Sequence, residues 1–544
     1  MNHRFSIPSF FNSLHLCHVR WEFSIPHLSF SSPLGGTEGG SFFSRLTEGG
    51  FACLLLLLSP LQVHAADSIL YKKLEHEATR TIFKSNMFAS PALRNIINEP
   101  SISEIGLKGI SQPSATARIS QLGTGMRAFK VEATSLQHLG SNDLVWGNAS
   151  YENGRKYSVV WNETSDFFQL YPYVMGDPKG GNMKYEEYEL NGGYSKRIKD
   201  IFYGVELGYR ALSEYRDHDP RPNNTVADLY GSLSFGYGFS KRYALAVNMD
   251  AGKYKQTNEL AFYNELGAQK VFLLTGIAND FARFSGNSNN SFYKGYNLGI
   301  SLSLAPRNGY GWMADIGYTF TQRERILSDL NRMPLNKLKT DRFSACVALI
   351  RKCYGVRIHG EYSDRKGFDN LFGDPSGSVY PQIGTKEQYN GSVANITADG
   401  YWTTELHNGT LWSLEPGVGF CSISNKHKDS GNRFDSDNIF FKLKAEMDHI
   451  FGKNMIGMKA NVCHRYNISS ETDIYNACDP SLTTTIQQIG KYFDKGETSF
   501  GISAEYSRQV WGNKALSIAF GWQHALYLDG ENNNCYEAKF AIIL

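Results

Sequence analysis

Residues 536–544 read Tyr-Glu-Ala-Lys-Phe-Ala-Ile-Ile-Leu. Tyr536, Ala538, Phe540, Ile542 and Leu544 share one parity; Glu537, Lys539, Ala541 and Ile543 share the other. Successive side chains on a β-strand point to opposite faces. The segment is therefore a strand with one apolar and one largely polar face, and it runs to the last residue.

The same alternation recurs upstream. Leu229, Leu233, Phe235, Tyr237 and Phe239 alternate with Ser232, Ser234, Gly236 and Gly238. Tyr296, Leu298, Ile300 and Leu302 alternate with Asn297, Gly299 and Ser301, and Ile439, Phe441, Leu443 and Met447 with Lys442, Lys444 and Glu446. A soluble sandwich would also alternate, but its connections would not sort by length. Here short turns are expected at Asn153-Gly154, Lys199-Asp200, Ser240-Lys241, Arg307-Asn308, Arg351-Lys352, Gly452-Lys453 and Gly512-Asn513. Longer polar connections lie between them, at about 163–182, 212–225, 253–290, 322–340, 364–389, 422–436 and 468–494. Short turns at one end and long loops at the other is the arrangement of a transmembrane β-barrel.

The fold expected is all-β: an antiparallel up-and-down barrel of about 18 strands over 123–544. The segments 125–137, 142–152 and 155–162 are the least regular, and losing some of them brings the count to 16 or 14. Both chain ends are expected in the periplasm, with the barrel in the outer membrane of a Gram-negative cell. Its partners there are expected to be outer-membrane lipid and lipopolysaccharide, the barrel-assembly machinery, and a small solute or partner protein.

Composition agrees. The chain has 544 residues, 55 basic and 53 acidic, so charge gives no reason to expect a nucleic-acid partner. Beyond the signal segment, no stretch approaches the roughly 18 apolar residues of a membrane helix. The 31 Tyr, 34 Phe and 52 Gly suit aromatic girdles and kinked strands.

Phe51–Pro60 (FACLLLLLSP) is a short apolar signal core, with Arg45 as its positive flank and Val63-His64-Ala65 as a cleavage site before Ala66. Residues 1–50 carry an upstream extension, in which FSIP (5–8, 23–26) and TEGG (37–40, 47–50) each appear twice. In 66–122, Leu70, Leu74, Ala78 and Ile82 recur every four residues among Lys and Glu, which predicts a short amphipathic helix. That segment is expected either in the lumen as a plug or in the periplasm. Six cysteines follow the cleavage site; Cys463 with Cys478 is the candidate disulfide of an exported chain, and six free thiols the alternative.

On the apolar parity, Tyr203, Tyr209, Tyr237, Trp312, Tyr318, Trp412 and Trp522 are expected as interface girdles. The other parity lines the lumen. Its candidates are Arg357, Glu361, Lys442, Lys444, Glu446, Asp448, Lys459 and Arg465. Lys442, Lys444, Lys459 and Arg465 form either a basic patch for an anionic solute or one side of a charge ladder completed by Glu446 and Asp448. No catalytic motif, metal-ligand spacing or cofactor motif stands out. His464 and His524 on the outward parity are the residues a lipid hydrolase would use, beside a serine. The tip Asp529-Gly530-Glu531 lacks calcium-loop spacing.

The run WGNASYENGRKYSVVWNETSDFFQLYPYVMGD (146–177), followed by EEYELNGGYSKR (186–197) and GVELGYRALSEYRDHDPRP (204–222), resembles an uncharacterised Bacteroidota outer-membrane protein family, a domain of unknown function. The resemblance spans about 67–544. It implies an outer-membrane barrel and brings no substrate, catalytic residue, cofactor or partner. Within the run, Asn153-Gly154 is expected to make a tight hairpin, and the YPYV segment to fold over or into the barrel mouth.

Two functions fit these expectations: a channel or transporter for small solutes, or a non-transport barrel serving as scaffold or surface-binding component of an export or assembly complex. An enzyme is not expected.

Overall fold

The structure is a computed structural model; it describes residues 68–87, 90–97, 99–113, 117–264, 269–286, 290–377, 379–406, 409–527 and 531–544. The extension, the signal core, its cleavage site and the loop tip at 528–530 lie outside the described residues.

Three helical pieces come first: α1 (Ile69–Glu77), α2 (Thr79–Ser85) and a 3-10 turn (Pro91–Ile96). The first strands are β1 (Ile102–Gln112), β2 (Gly125–His138) and β3 (Asp143–Val159). A loop carrying α3 (Phe167–Leu170) and β4 (Met175–Gly176) leads to β5 (Gly181–Ile198), β6 (Ile201–Tyr215), β7 (Arg221–Tyr237) and β8 (Tyr243–Ala261). A second loop carries β9 (Phe272–Gly276) and β10 (Asn279–Asp280). Then come β11 (Ser291–Pro306), β12 (Gly311–Leu327), β13 (Met333–Ile350), β14 (Tyr354–Phe372), β15 (Gln382–Leu406), β16 (Thr410–His427), β17 (Arg433–Phe451) and β18 (Asn454–Asp473). After α4 (Pro480–Asp494) the chain ends with β19 (Glu497–Trp511), β20 (Lys514–Tyr527) and β21 (Asn532–Ile543).

Eighteen of these strands pair antiparallel with their neighbours in one sheet. β1 closes it against β21, with Lys108 opposite Lys539. At the seam the Ser103 N–H donates to the Leu544 carbonyl (3.0 Å) and the Leu544 N–H to that of Ser103 (2.8 Å). The expected 18-stranded antiparallel barrel is therefore present. Closure leaves no strand edge unpaired, which a bilayer requires.

Two expectations inside that count are corrected. Asn153-Gly154 is not a hairpin: β3 runs straight through it, and 142–152 with 155–162 is one strand. Gly154 is there because the Tyr185 ring lies over it; a Cβ would sit 2.6 Å from that ring. The lost strand is replaced by β1, which the sequence reading assigned to the N-terminal segment. The boundary of the barrel moves from 123 to 102. The loops expected at 212–225 and 322–340 are also mostly strand, since β6 and β7 are joined by 216–220 and β12 and β13 by 328–332.

The outer surface carries the apolar parity. Leu233, Met249, Ile358 and Phe520 are at least 60% exposed, which only lipid accommodates. Exposed Tyr237, Trp312, Tyr354, Trp402 and Trp412 ring the short-turn end, and Tyr209, Tyr296, Tyr362 and Tyr536 lie nearer the loop end. On β14 the belts are Tyr354 and Tyr362, eight residues apart. In a strand tilted by about 40° that is roughly 20 Å, close to the apolar band of an outer-membrane barrel. The fold is that of an outer-membrane β-barrel.

Candidate functional site

The lumen is narrowed from both ends by different chemistry. At the short-turn end lie residues 68–97. The Ser68 hydroxyl accepts from the Leu70 N–H (3.4 Å), capping α1. The expected single helix breaks at Ala78, whose ψ of 134° is extended, so that α2 starts in a new direction. The 3-10 turn begins at Pro91, whose fixed φ suits a first helical position.

These pieces cross the mouth and touch the wall on opposite sides. Lys73 of α1 pairs with Glu505 of β19 at 2.9 Å, and the Ser68 hydroxyl donates to Gln509 (3.1 Å). The Thr79 hydroxyl bonds Glu446 of β17 (3.0 Å) and Glu415 of β16 (3.3 Å). Phe83 packs edge-on against Tyr401 of β15, with Arg357 over its ring. Across the lumen, the Ala92 N–H donates to Ser234 of β7 (2.7 Å), and Asn95 to Ser195 of β5 (3.1 Å). Alanines on β8 and β11 leave room there for Leu93 and Ile96.

At the loop end the segment 160–180 folds inward, and Val174 and Tyr173 of the YPYV run are buried. Five wall arginines hold it. Arg210 of β6 binds Asp166 through two nitrogens. Arg365 of β14 donates to the carbonyls of Phe168 (3.0 Å) and Tyr171 (2.8 Å). Arg323 reaches Gln169 (3.1 Å) and Arg325 the Val174 carbonyl (3.1 Å). Arg216, just past β6, binds both Glu163 and Asp177, the latter at 2.8 Å. Beneath the loop, Trp161, Phe167, Phe168, Tyr254, Tyr293 and Phe434 form one apolar cluster, joined from the far side by Phe493 of α4.

In the Arg216 group the two carboxylates share one cation. Burial, and then the hydrogen bond to Asp177, push Glu163 well above the usual carboxylate range. Burial acts on Asp177 in the same sense, but the hydrogen bonds from Glu163 and Arg216 outweigh it and hold Asp177 below that range. The pair thus favours the proton on Glu163 and the negative charge on Asp177, beside Arg216.

The lumen candidates all lie on inward parity. The Lys444 ammonium binds Glu415 (2.5 Å) and Glu446 (3.3 Å), and Lys459 binds Glu446 (2.7 Å). Asp448 sits below Glu446 on β17, next to Gly457. Arg465 lies 3.6 Å from Glu497 and also donates to the carbonyls of Tyr492 and Phe493 (3.2 Å each). The four cations thus do not form one open basic patch. Lys444 and Lys459 belong to a charge ladder, and Arg465 is fixed to α4. Lys442 lies over Gly417, which has no side chain to displace it. Arg357 binds Asp399 (2.7 Å), and Glu361 faces Arg342 (3.4 Å).

The sequence reading did not single out Arg216, Arg323, Arg325 or Arg365. The signal was present: arginine on inward parity above the upper aromatic belt. It was hidden because 322–340 and 364–389 read as loop. His464 bonds Thr498 (2.8 Å) and His524 bonds Asn534 (2.8 Å), not a serine. Cys478 is a free thiol, so Cys463 and Cys478 are not joined.

Residues 91–544 match a family described as Family of unknown function (DUF6850). The chain belongs to that family. The matched range begins at Pro91, so it takes in the 3-10 turn and every strand of the barrel. No curated protein matches the chain. Among solved structures it is similar to the ferric citrate transporter FecA in its unliganded form (8% identity, 84% of this chain and 79% of that one, TM-score 0.40). It is also similar to BauA, the ferric preacinetobactin receptor of Acinetobacter baumannii (8% identity, 82% and 80%, TM-score 0.37), and to the copper transporter OprC (7% identity, 81% and 80%, TM-score 0.37). At these identities and TM-scores the likeness bears on neither strand count nor cargo.

Proposed function

We propose that this protein is a gated outer-membrane transporter for small hydrophilic solutes. Its chain ends are periplasmic, and the movable closure is residues 68–97. One observation carries the reading: that segment crosses the short-turn mouth and is held largely by side-chain contacts to a mixed-charge wall. The segment contributes no strand to the sheet, so moving it breaks no strand–strand pairing of the barrel. The loop-end insert is held differently, by buried arginines on backbone carbonyls, and is the static constriction. The lumen is not selective by net charge, because Lys444, Lys459 and Arg357 are matched by Glu415, Glu446 and Asp399.

Planar-bilayer conductance tests this, on refolded 66–544 beside the same chain lacking 66–97. The intact chain should give rare, small steps and the shortened one larger, frequent steps. Equal conductance would remove the gate. Silence from both, with folded barrels, favours the second reading, a scaffold in an export or assembly complex; narrowing at both mouths is what supports it.

A further inference from the structure

Just above the upper aromatic belt, the outer wall carries a row of cations in direct register. Arg127 of β2 faces Arg155 of β3, and Arg155 faces Lys184 of β5. All three are on the lipid-facing parity. Below them on the same strands lie Phe129, Tyr151 and Tyr188, the last two in ring contact. The row therefore sits at headgroup depth rather than in the hydrocarbon.

Like charges directly opposite on neighbouring strands destabilise a sheet. Three other pairs of cations face each other on this rim, Lys255 with Lys294, Lys339 with Lys366 and Lys426 with Arg433, but in each of them one member holds a carboxylate, Asp364 at 3.0 Å in the case of Lys366. Lys294 faces Glu324 (3.3 Å), Glu324 faces Lys337 (3.5 Å), and Arg433 faces Asp473 (2.7 Å). At the Arg127–Arg155 pair, no carboxylate among the described residues forms an ion pair with either guanidinium, and both are exposed. The nearby acids are engaged: Asp217 binds Lys184 (2.7 Å), and Glu186 accepts from Asn153 (3.3 Å). A cavity of about 430 Å³ opens between the cations, lined by Arg127, Phe129, Asn153, Arg155, Lys184 and the Glu186 carboxylate, so three cations there stand against one acid.

We propose that Arg127, Arg155 and Lys184 bind the phosphate of a lipid headgroup in the leaflet around the loop end. Guanidinium forks match phosphate oxygens bidentately. The two facing forks are the part of the site that no ion pair occupies, and the ammonium beside them is shared with Asp217. The belt beneath takes the upper acyl chains and fixes the source as a membrane lipid rather than free phosphate. With the loop end outward, as proposed above, that lipid is the phosphorylated glycolipid of the outer leaflet.

The test is native mass spectrometry of the purified full barrel titrated with diphosphorylated lipid A in detergent, with heat-modifiable gel mobility as the check on folding. The R127Q/R155Q variant should bind about tenfold more weakly. R127K/R155K should keep most of the affinity, and dephosphorylated lipid A should bind the native chain as weakly as the variant binds the phosphorylated form. K253Q/K255Q, which removes exposed rim cations on β8, should change nothing. Equal affinity in R127Q/R155Q, or an equal loss in K253Q/K255Q, would overturn the site. Displacement by millimolar inorganic phosphate would overturn the lipid as its ligand. None of these readouts depends on conductance, so the site and the gate stand or fall separately.

Discussion

The Arg365 guanidinium donates to the Tyr171 carbonyl at 2.8 Å, tying the inward loop to the opposite side of its own barrel. It also takes the Phe168 carbonyl at 3.0 Å, so one side chain satisfies two backbone acceptors that no strand can reach. Replacing it with Met would leave both buried. Each unsatisfied acceptor costs about 1–3 kcal/mol. R365M should therefore loosen the loop by roughly 2–6 kcal/mol while the barrel stays closed. Limited proteolysis would show new cleavage within 160–180, and unchanged protection there would refute the tether.

At the other mouth, Glu505 holds Lys73 at 2.9 Å, and both are buried. E505Q leaves the ammonium in a low-dielectric site with Glu77 as its remaining ion-pair partner among the described residues. Breaking a buried pair from one side costs about 3–5 kcal/mol, less where a second partner remains. Lys73 should become reactive to amine-directed reagents, and the open-channel fraction should rise. If Lys73 stays protected, the helix is held by its apolar contacts instead.

Glu163 gives the loop a pH dependence of definite sign. Its folded value is raised, so its contribution is complete below the ordinary carboxylate value of about 4.3 and declines as pH rises through the folded value. Asp177 works oppositely: its value is depressed, and its contribution is present above about 3.9 and lost as pH falls. Loop protection should thus weaken on the alkaline side in the native chain. E163Q keeps a donor and cannot ionise, so that limb should flatten. Hydrogen exchange of 160–180 in both chains, corrected for intrinsic rates, decides; parallel pH curves would exclude Glu163.

Two glycines are required by close approach. A Cβ on Gly154 would meet the Tyr185 ring at 2.6 Å, and one on Gly193 would meet the Trp146 ring at 2.2 Å. G154A and G193A should each cost about 1–3 kcal/mol through overpacking, with G193A the worse. Thermal loss of gel-mobility folding measures it. A G193A barrel as stable as native would mean that Trp146 turns aside freely.

The sequence by itself determined the barrel. Alternation from Leu229 to Phe239 and from Tyr536 to Leu544 fixes which side chains meet lipid, since parity on a strand is local and a one-residue slip would expose the wrong face. Six of the seven expected short turns sit where Gly, Asn and Lys mark them.

What the sequence left to the tertiary structure was everything set by contact between distant segments. Asn153-Gly154 carries a hairpin's local signature, yet whether the chain turns there depended on Tyr185, a neighbour in space. Ile102–Gln112 has glycine at 106 and 109, on both faces, and does not declare itself a strand until β2 and β21 pair with it on either side. The arginines that fix the inward loop looked like loop residues because their strands extend past the membrane, where lipid no longer enforces alternation. Likewise, the choice between a basic patch and a charge ladder was made only when register brought Lys459 opposite Glu446. Parity is written along the chain; charge pairing across strands is written in the register, and only the closed barrel sets that.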